Sequence, residues 1–295
     1  MGRHVGYPLA VLALALVPLR ANAQLGYRPL FGTGAQAVAR GRLYLSVTGE
    51  AIAHPEMYDP ATARYIHTPA TTVFNDVGLR AFATYGVTRR LSLFTEVPLR
   101  SVHLYSLAQT RIGKGVPDIT MGGTWRVLGG TARTSLDATL AATLPVAADT
   151  APRQNQYPLA LDAPAYALGL TATTRLGAYA LSYSGSYTLA GSDGALDYGD
   201  WADLAVLVDR DTPTPFGHFS FAAGLHAAYK AGNRRAGASV PASWDDSVTV
   251  LAGATYHYNR NLDFKLGVPY TIYQKDAWFG TYAVLLGVEY DVGHP

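Results

Sequence analysis

Apolar residues alternate with polar or small residues in stretches of about ten positions, and short turns separate the stretches. The clearest pair of stretches meets at residues 87–90. Before this turn, the apolar positions are Val77, Leu79, Ala81, Ala83 and Tyr85. After it, Leu91, Leu93, Val97 and Leu99 alternate with Arg90, Ser92, Glu96 and Arg100. A period of two predicts strands that have one apolar face.

The opposite face of these strands carries full charges, which the packed core of a water-soluble protein excludes. An apolar outside and a charged inside are typical of a membrane-spanning β-barrel. The fold class that we predict is therefore all-β, a transmembrane antiparallel up-and-down β-barrel of about 12 strands. The strands are expected at residues 42–50, 76–86, 90–104, 117–128, 132–145, 164–177, 178–190, 199–209, 216–230, 246–258, 261–273 and 277–292.

Long and short connections alternate along the chain. The long ones include residues 51–75, 105–116 and 146–163, and between them lie turns such as 87–89 and 129–131. Outer-membrane barrels have short periplasmic turns and longer outer loops, so an even strand number places both ends of the barrel at the periplasmic side. A soluble β-sandwich does not require this rhythm. A barrel of ten or fourteen strands remains an alternative, because the predicted strands 42–50 and 199–209 have the weakest alternation.

The first 23 residues have the pattern of a secretory leader. Arg3 and His4 precede a short apolar run at residues 9–17, and Ala21-Asn22-Ala23 fits the small-x-small cleavage pattern. A helical anchor requires about 20 apolar residues, more than this run provides. We therefore expect a cleaved signal peptide at 1–23, an N-terminal tail or lumen plug at 24–41, and an outer-membrane β-barrel at 42–295.

Composition agrees with an exported barrel. The chain contains no cysteine, which excludes disulfides, thiolate chemistry and a lipid-modified cysteine. Its net charge of +2 includes Arg3 and Arg20 of the leader, and no basic segment indicates nucleic acid. Twenty Tyr and 30 Gly suit a barrel with aromatic girdles. We expect a monomer in the outer-membrane lipid of a Gram-negative bacterium, inserted by the barrel assembly machinery, with no cofactor and no nucleic acid partner.

One pattern occurs twice. The stretch from Tyr85 to Pro98 matches the stretch from Tyr256 to Pro269, and the Tyr and Pro are equally spaced in both. Each copy predicts the end of a strand, a tight turn and the start of a new strand. Because proline lacks an N–H for the ladder, each Pro indicates a bulge or a strand edge.

The first copy is followed by Gly113-Lys114-Gly115-Val116-Pro117-Asp118-Ile119 and by Trp125-Arg126. The order of features is a turn, a strand ending in Val-Pro, a loop, Gly-x-x-Asp-Ile and an aromatic-Arg pair. This order resembles the outer-membrane transporter family linked to phenol degradation by the meta pathway. The family's loop reads Gly-x-Gly-Asp, whereas this chain has Pro117 in place of the second Gly. The resemblance covers residues 76–128. It implies a channel or transporter for small, hydrophobic or aromatic compounds.

His218-Phe219-Ser220 suggests a catalytic pair, since outer-membrane lipid hydrolases place His-x-Ser on a strand. Those enzymes face their lipid substrate. Here Phe219 and Phe221 form the apolar face, so His218 and Ser220 are predicted to face the lumen. We therefore predict no enzyme and no catalytic residues. His54, Glu56, Asp59 and His67 in the first long loop are interpreted as solvated loop residues and not as a metal site.

The predicted lumen face carries the ionisable residues from which we expect function. They are Arg80, Glu96, Arg100, Asp118, Arg126, Arg133, Asp137, Arg175, His218, His226, Lys230, His257, Asp263, Lys265 and Glu289. One interpretation is a network of ion pairs that stiffens a closed barrel. The other is a lining that sets selectivity. We expect passive passage of small solutes, with a closed surface-binding barrel and a lipid-acting hydrolase using His218 and Ser220 as alternatives.

Overall fold

A computed structural model of the protein describes residues 37–53, 56–59, 64–67, 73–105, 110–129, 133–146, 163–194, 196–215, 217–239, 245–275, 278–279 and 282–293. In chain order, the strands are β1 (Leu43–Ala53), β2 (Glu56–Asp59), β3 (Arg64–His67), β4 (Val73–Gly86), β5 (Leu91–Tyr105), β6 (Thr110–Gly115), β7 (Asp118–Leu128), β8 (Thr134–Pro145), β9 (Ala165–Leu176), β10 (Tyr179–Ala190), β11 (Leu196–Asp197), β12 (Trp201–Thr214), β13 (Gly217–Lys230), β14 (Arg234–Arg235), β15 (Ala238–Ser239), β16 (Asp245–His257), β17 (Leu262–Lys275), β18 (Trp278–Phe279) and β19 (Tyr282–Val292).

The long strands form a closed barrel. Around the wall the order is β1, β4, β5, β7, β8, β9, β10, β12, β13, β16, β17 and β19, and every neighbouring pair is antiparallel. Closure occurs at β1, where Leu43 lies opposite both Val292 of β19 and Tyr85 of β4. The prediction of a 12-stranded antiparallel barrel is confirmed. Each of the twelve predicted strands overlaps one of these wall strands.

The outer surface of the wall is apolar. Leu140 and Leu204 are 65% and 66% exposed, and Leu168 and Leu286 are exposed to a similar degree. Along β12, for example, the exposed Leu204, Val206 and Val208 alternate with residues that point into the barrel. A band of large apolar side chains facing outward is the surface that a bilayer solvates. No helix within the described residues is long and apolar enough to cross a membrane.

The repeated sequence pattern corresponds to a repeated turn. Thr88 Oγ1 accepts hydrogen bonds from the backbone N–H groups of Arg90 and Leu91 at 3.1 and 2.9 Å. Asn259 Oδ1, at the equivalent position of the second copy, accepts from Asn261 and Leu262 at 2.8 and 2.9 Å. In both copies a short side chain thus satisfies backbone donors that the tight turn removes from the ladder.

Each proline of the repeat lies where pairing on one side of its strand is interrupted. The β5–β7 register ends at Glu96, and the β5–β6 register begins at Arg100, so Pro98 lies in the gap between them. Pro269 of β17 falls between Gly267 and Tyr270, the positions at which the register with β19 breaks off and resumes. Because proline has no N–H to donate, it occupies positions without a ladder partner on that side.

Several predicted boundaries differ from the structure, and the predicted loop 51–75 contains β2, β3 and the first residues of β4. The long loop expected at 105–116 contains β6, which extends the wall beside β5, and the Val116-Pro117 break separates it from β7. The last predicted strand, 277–292, is divided into β18 and β19. β18 pairs with β2 in a small sheet with β3, and β11, β14 and β15 form a second one. These sheets extend from the end of the barrel opposite the short turns. We call the two ends the loop end and the turn end.

Candidate functional site

The inner face of the barrel holds most of the predicted site residues, and they are arranged in ion pairs. Arg80 of β4 lies between two carboxylates, with 3.1 Å to Glu50 of β1 and 3.3 Å to Glu96 of β5. Its side chain remains 47% exposed. Arg100 Nε donates to Asp76 Oδ1 at 2.9 Å, and a second bond from Nη2 makes the contact bidentate. An exposed guanidinium on the wall can contact a passing solute.

A second group of residues joins the wall to the N-terminal segment. Arg126 Nε donates to Asp137 Oδ1 at 2.9 Å, and its Nη2 donates to the backbone oxygen of Ala37 at 2.8 Å. The amide of Ala37 donates to Asp137 at 3.3 Å, and the amide of Val38 donates to Ser92 Oγ at 2.7 Å. The chain just before β1 is therefore bound inside the barrel, near its turn end.

The most densely connected group lies at the turn end of β12, β13, β16 and β17. Ser220 Oγ is 2.8 Å from His257 Nε2, and His257 Nδ1 is 2.8 Å from Asp263 Oδ1. The ring of His218 lies 4.9 Å from that of His257, and its Nε2 bonds to Asp211. Cross-strand register explains why these side chains are in contact, since His218 lies opposite His257 and Ser220 lies opposite Asp211.

Two further ion pairs continue this group toward β1. Lys265 bonds to Glu289, and both side chains are almost fully buried. Arg42, just before β1, bonds to Asp291. Because a buried charge is costly unless it is paired, these contacts allow charged side chains to line the wall.

The remaining predicted residues are more scattered. His226 lies 3.1 Å from Asp203 toward the loop end. Asp118 begins β7, and its Oδ1 is buried. Arg133 and Arg175 are exposed and lie at the turn end, just before β8 and near the end of β9. His54 lies outside the described residues. Within the described part, no group of three or more His, Asp or Glu could hold a metal ion.

Some carboxylate partners, namely Glu50, Asp76, Asp203, Asp211 and Asp291, are not among the predicted lumen residues. Asp203 and Asp211 lie on β12, one of the two strands with the weakest alternation, and Asp291 lies near the end of the last predicted strand. A signal was available, since Leu204, Val206 and Val208 alternate with these acids in the expected way. Which cation each acid meets depends on the register between strands, which alternation along one strand does not contain.

The hydrogen-bond partner of Ser220 is also different from His218, the partner that the sequence pattern suggests. His218 bonds to Asp211, whereas Ser220 bonds to His257, so Ser220, His257 and Asp263 have the connectivity of a nucleophile, a base and an orienting carboxylate. Ser220 is only 3% exposed. It lies in the middle of the sheet between β12 and β16, where backbone N–H groups serve the ladders and do not point into the lumen.

Comparison with known proteins relates the fold to outer-membrane barrels. The chain is similar to the crystal structure of the COG4313 outer membrane channel from Pseudomonas putida F1, with a TM-score of 0.67 and 16% identity over 86% of this chain and 97% of that one. It also resembles the NanC porin, with a TM-score of 0.50, 9% identity, and 83% and 98% of the two chains covered.

A third neighbour is the translocator domain of the autotransporter NalP from Neisseria meningitidis, with a TM-score of 0.50, 9% identity, and 86% and 89% coverage. No protein-family model and no curated protein matches the sequence. At these identities the comparisons show the fold alone.

Proposed function

We propose that the protein is a channel in the outer membrane of a Gram-negative bacterium, through which small solutes pass passively. The observation that carries this proposal is the contrast between an apolar outer face and an inner face lined by ion pairs. A barrel of eight strands can fill its interior with side chains, whereas about 12 strands enclose more room. The fold shared with the channel from Pseudomonas putida supports the same proposal.

For the ends of the chain, we propose that residues 1–23 form a cleaved leader and that 24–41 form a segment within the lumen. The hydrogen bonds of Ala37 and Val38 to Asp137, Arg126 and Ser92 support the second part, since they hold the start of the described chain inside the barrel. We further propose a monomer. A segment in the lumen narrows the passage and restricts it to small solutes.

For the solute, we propose small hydrophobic or aromatic compounds, on the strength of the resemblance to the phenol-degradation family at residues 76–128. The exposed Arg80 between Glu50 and Glu96 is proposed as a selectivity residue within the passage. Arg100 and the His218–His257 group are proposed to line the two ends of the route.

The test is conductance. Refolded protein is inserted into planar bilayers, and its single-channel current is measured together with the swelling of liposomes in small solutes. Discrete openings and solute-dependent swelling are expected. Absence of both with every small solute tried contradicts the channel and favours a closed barrel that binds partners through its loops.

The geometry at Ser220 favours a second candidate, hydrolysis of a small ester within the lumen. In that reaction Ser220 Oγ attacks the acyl carbon while its proton moves to His257 Nε2 and then to the departing alkoxide. Water afterwards cleaves the acyl-serine bond. Since Ser220 faces the lumen, the substrate is a soluble ester and not a membrane lipid. The sheet offers no inward N–H pair beside Ser220 for the developing oxyanion, which makes channel function the better supported of the two.

This second candidate is tested with p-nitrophenyl acetate and a fluorophosphonate probe. Activity and labelling that disappear in Ser220→Ala but persist in Ser184→Ala support it. Ser184 is a matched control because it faces the same lumen from β10. Equal background rates in all three proteins contradict hydrolysis.

A further inference from the structure

The wall of the lumen is chemically two-sided. β9 and β10 carry a single Asp, Glu, Lys, Arg or His between them, Arg175, which is exposed at the turn end. Their inner faces consist of small and hydroxyl residues such as Gly169, Thr171, Ser182 and Ser184. This part of the wall can contact an uncharged solute surface through packing and neutral hydrogen bonds.

The strands directly across the lumen are acidic. In a ring of twelve, β19 lies six strands from β9, and β1 lies six strands from β10. The inner faces of β19 and β1 carry Glu289, Asp291 and Glu50. A solute in the lumen therefore has an uncharged surface on one side and a charged surface on the other.

The rest of the wall, from β12 through β19 and β1 to β5, carries more carboxylates than Lys or Arg side chains. Arg42, Arg100 and Lys265 each pair with one carboxylate, and Arg80 lies between two, Glu50 and Glu96. Lys230 of β13 is a further cation of the lumen face. Three additional acids, Asp203 and Asp211 of β12 and Asp263 of β17, have histidine as their basic partner, and histidine, unlike Lys and Arg, carries no permanent positive charge.

We propose that the lumen admits cations in preference to anions, and that its preferred organic solutes carry one positive charge on a small uncharged body. The uncharged body lies against β9 and β10, and the cationic group lies toward the carboxylates of the opposite strands. This inference rests on the proposed channel function and assigns a charge class to its solutes. Selectivity by rings or strips of one charge is a general property of pores.

The first test is the reversal potential of the full protein in a planar bilayer under a KCl gradient, near pH 8. We expect a potassium-to-chloride permeability ratio above one. The variant Asp203→Asn/Asp211→Asn/Asp263→Asn keeps acceptors for the three histidines and removes three charges. The variant is expected to lower the ratio several-fold, because each removed carboxylate attracts cations and repels anions.

A control and a second variant keep the outcome interpretable. Asp197→Asn removes an acid from β11, outside the barrel wall, and is expected to leave the ratio unchanged. Ser184→Lys adds a positive charge to the uncharged side without breaking an ion pair, and is expected to lower the ratio even if the triple variant fails to fold. A ratio at or below one in the native protein, or one that neither lumen variant changes, overturns the inference.

The second test uses three probes with one aromatic ring each, benzylammonium, benzyl alcohol and benzoate, in liposome swelling. The expected order of entry is benzylammonium first and benzoate last. Equal entry, or faster entry of benzoate, overturns the assigned charge class while the channel itself stands. Loss of all conductance and swelling is a different result, because it contradicts the proposed function and not its charge preference.

Discussion

At the scale of single residues, the inner wall shows how a closed barrel accommodates charge. Asp137 is 1% exposed, and its carboxylate is bonded by Arg126 and by the amide of Ala37. A buried carboxylate is tolerated because both of its oxygens have donors. The same contacts bind the N-terminal segment, so one residue serves both the wall and the segment in front of it.

Asp137→Ala is predicted to destabilise the barrel, since it leaves the Arg126 guanidinium without its carboxylate. The free energy of unfolding is expected to fall by about 3 kcal/mol, the usual cost of removing one partner of a buried pair. Urea unfolding of the protein refolded in detergent or lipid measures this change. The matched variant Asp197→Ala, at an exposed position, is expected to unfold as the native protein does. Equal midpoints for the two variants are the result that contradicts a stabilising role.

Two adjacent glycines give a second prediction at this scale. A Cβ on Gly122 would lie 2.4 Å from the backbone oxygen of Leu140 and 2.7 Å from Phe94 Cζ, whereas a Cβ on Gly123 would have no neighbour closer than 3.5 Å. Gly122→Ala is therefore expected to cost about 1–3 kcal/mol through overpacking. Gly123→Ala is expected to change stability little. Unfolding midpoints of the two variants measure the difference, and a similar loss in both contradicts the packing explanation.

At the scale of elements, the hairpins are set by side chains that bond to their own turns. Thr88 and Asn259 differ chemically but accept from the same two backbone positions, the second and third residues onward. Threonine and asparagine both have an oxygen short enough to reach these donors. The repeat in the sequence is thus explained by a shared turn and does not require a shared functional site.

Thr88→Ala and Asn259→Ala are each predicted to lower the free energy of unfolding by about 1 kcal/mol. In each variant two backbone N–H groups lose the side-chain oxygen that accepts from them and bond to water instead. The exchange variants Thr88→Asn and Asn259→Thr are expected to retain most of the stability, since each supplies an equivalent oxygen. Chemical unfolding curves of the four proteins test this. If the exchange variants lose as much stability as the alanine variants, the turn bonds are not the cause.

At the scale of the whole molecule, closure brings distant segments together. Lys265 and Glu289 come from β17 and β19, and Arg42, which precedes the first wall strand, meets Asp291 of the last. The three imidazole–carboxylate contacts lie on one side of the ring, on β12, β13, β16 and β17. The distribution of charge around the lumen is therefore a property of the closed barrel and not of any single strand.

The sequence by itself determined the approximate positions of the wall strands and their two faces, whereas a strand number of twelve was settled by closure of the sheet. Alternation with a period of two is a local property, so it predicted the inner positions of Glu96, Arg126, His257 and Glu289 and identified the turns of the repeat. It also predicted that Ser220 faces the interior of the barrel. These features depend on residues close to one another along the chain.

The tertiary structure decided which inner residues meet. Register between strands placed Ser220 against His257 and not against its sequence neighbour His218, and paired Arg80 with Glu50 of β1. Closure placed the uncharged faces of β9 and β10 opposite the acids of β1 and β19. Contacts of this kind follow from the hydrogen-bond register and circumference of the whole sheet, to which every strand contributes and which no single segment of sequence encodes.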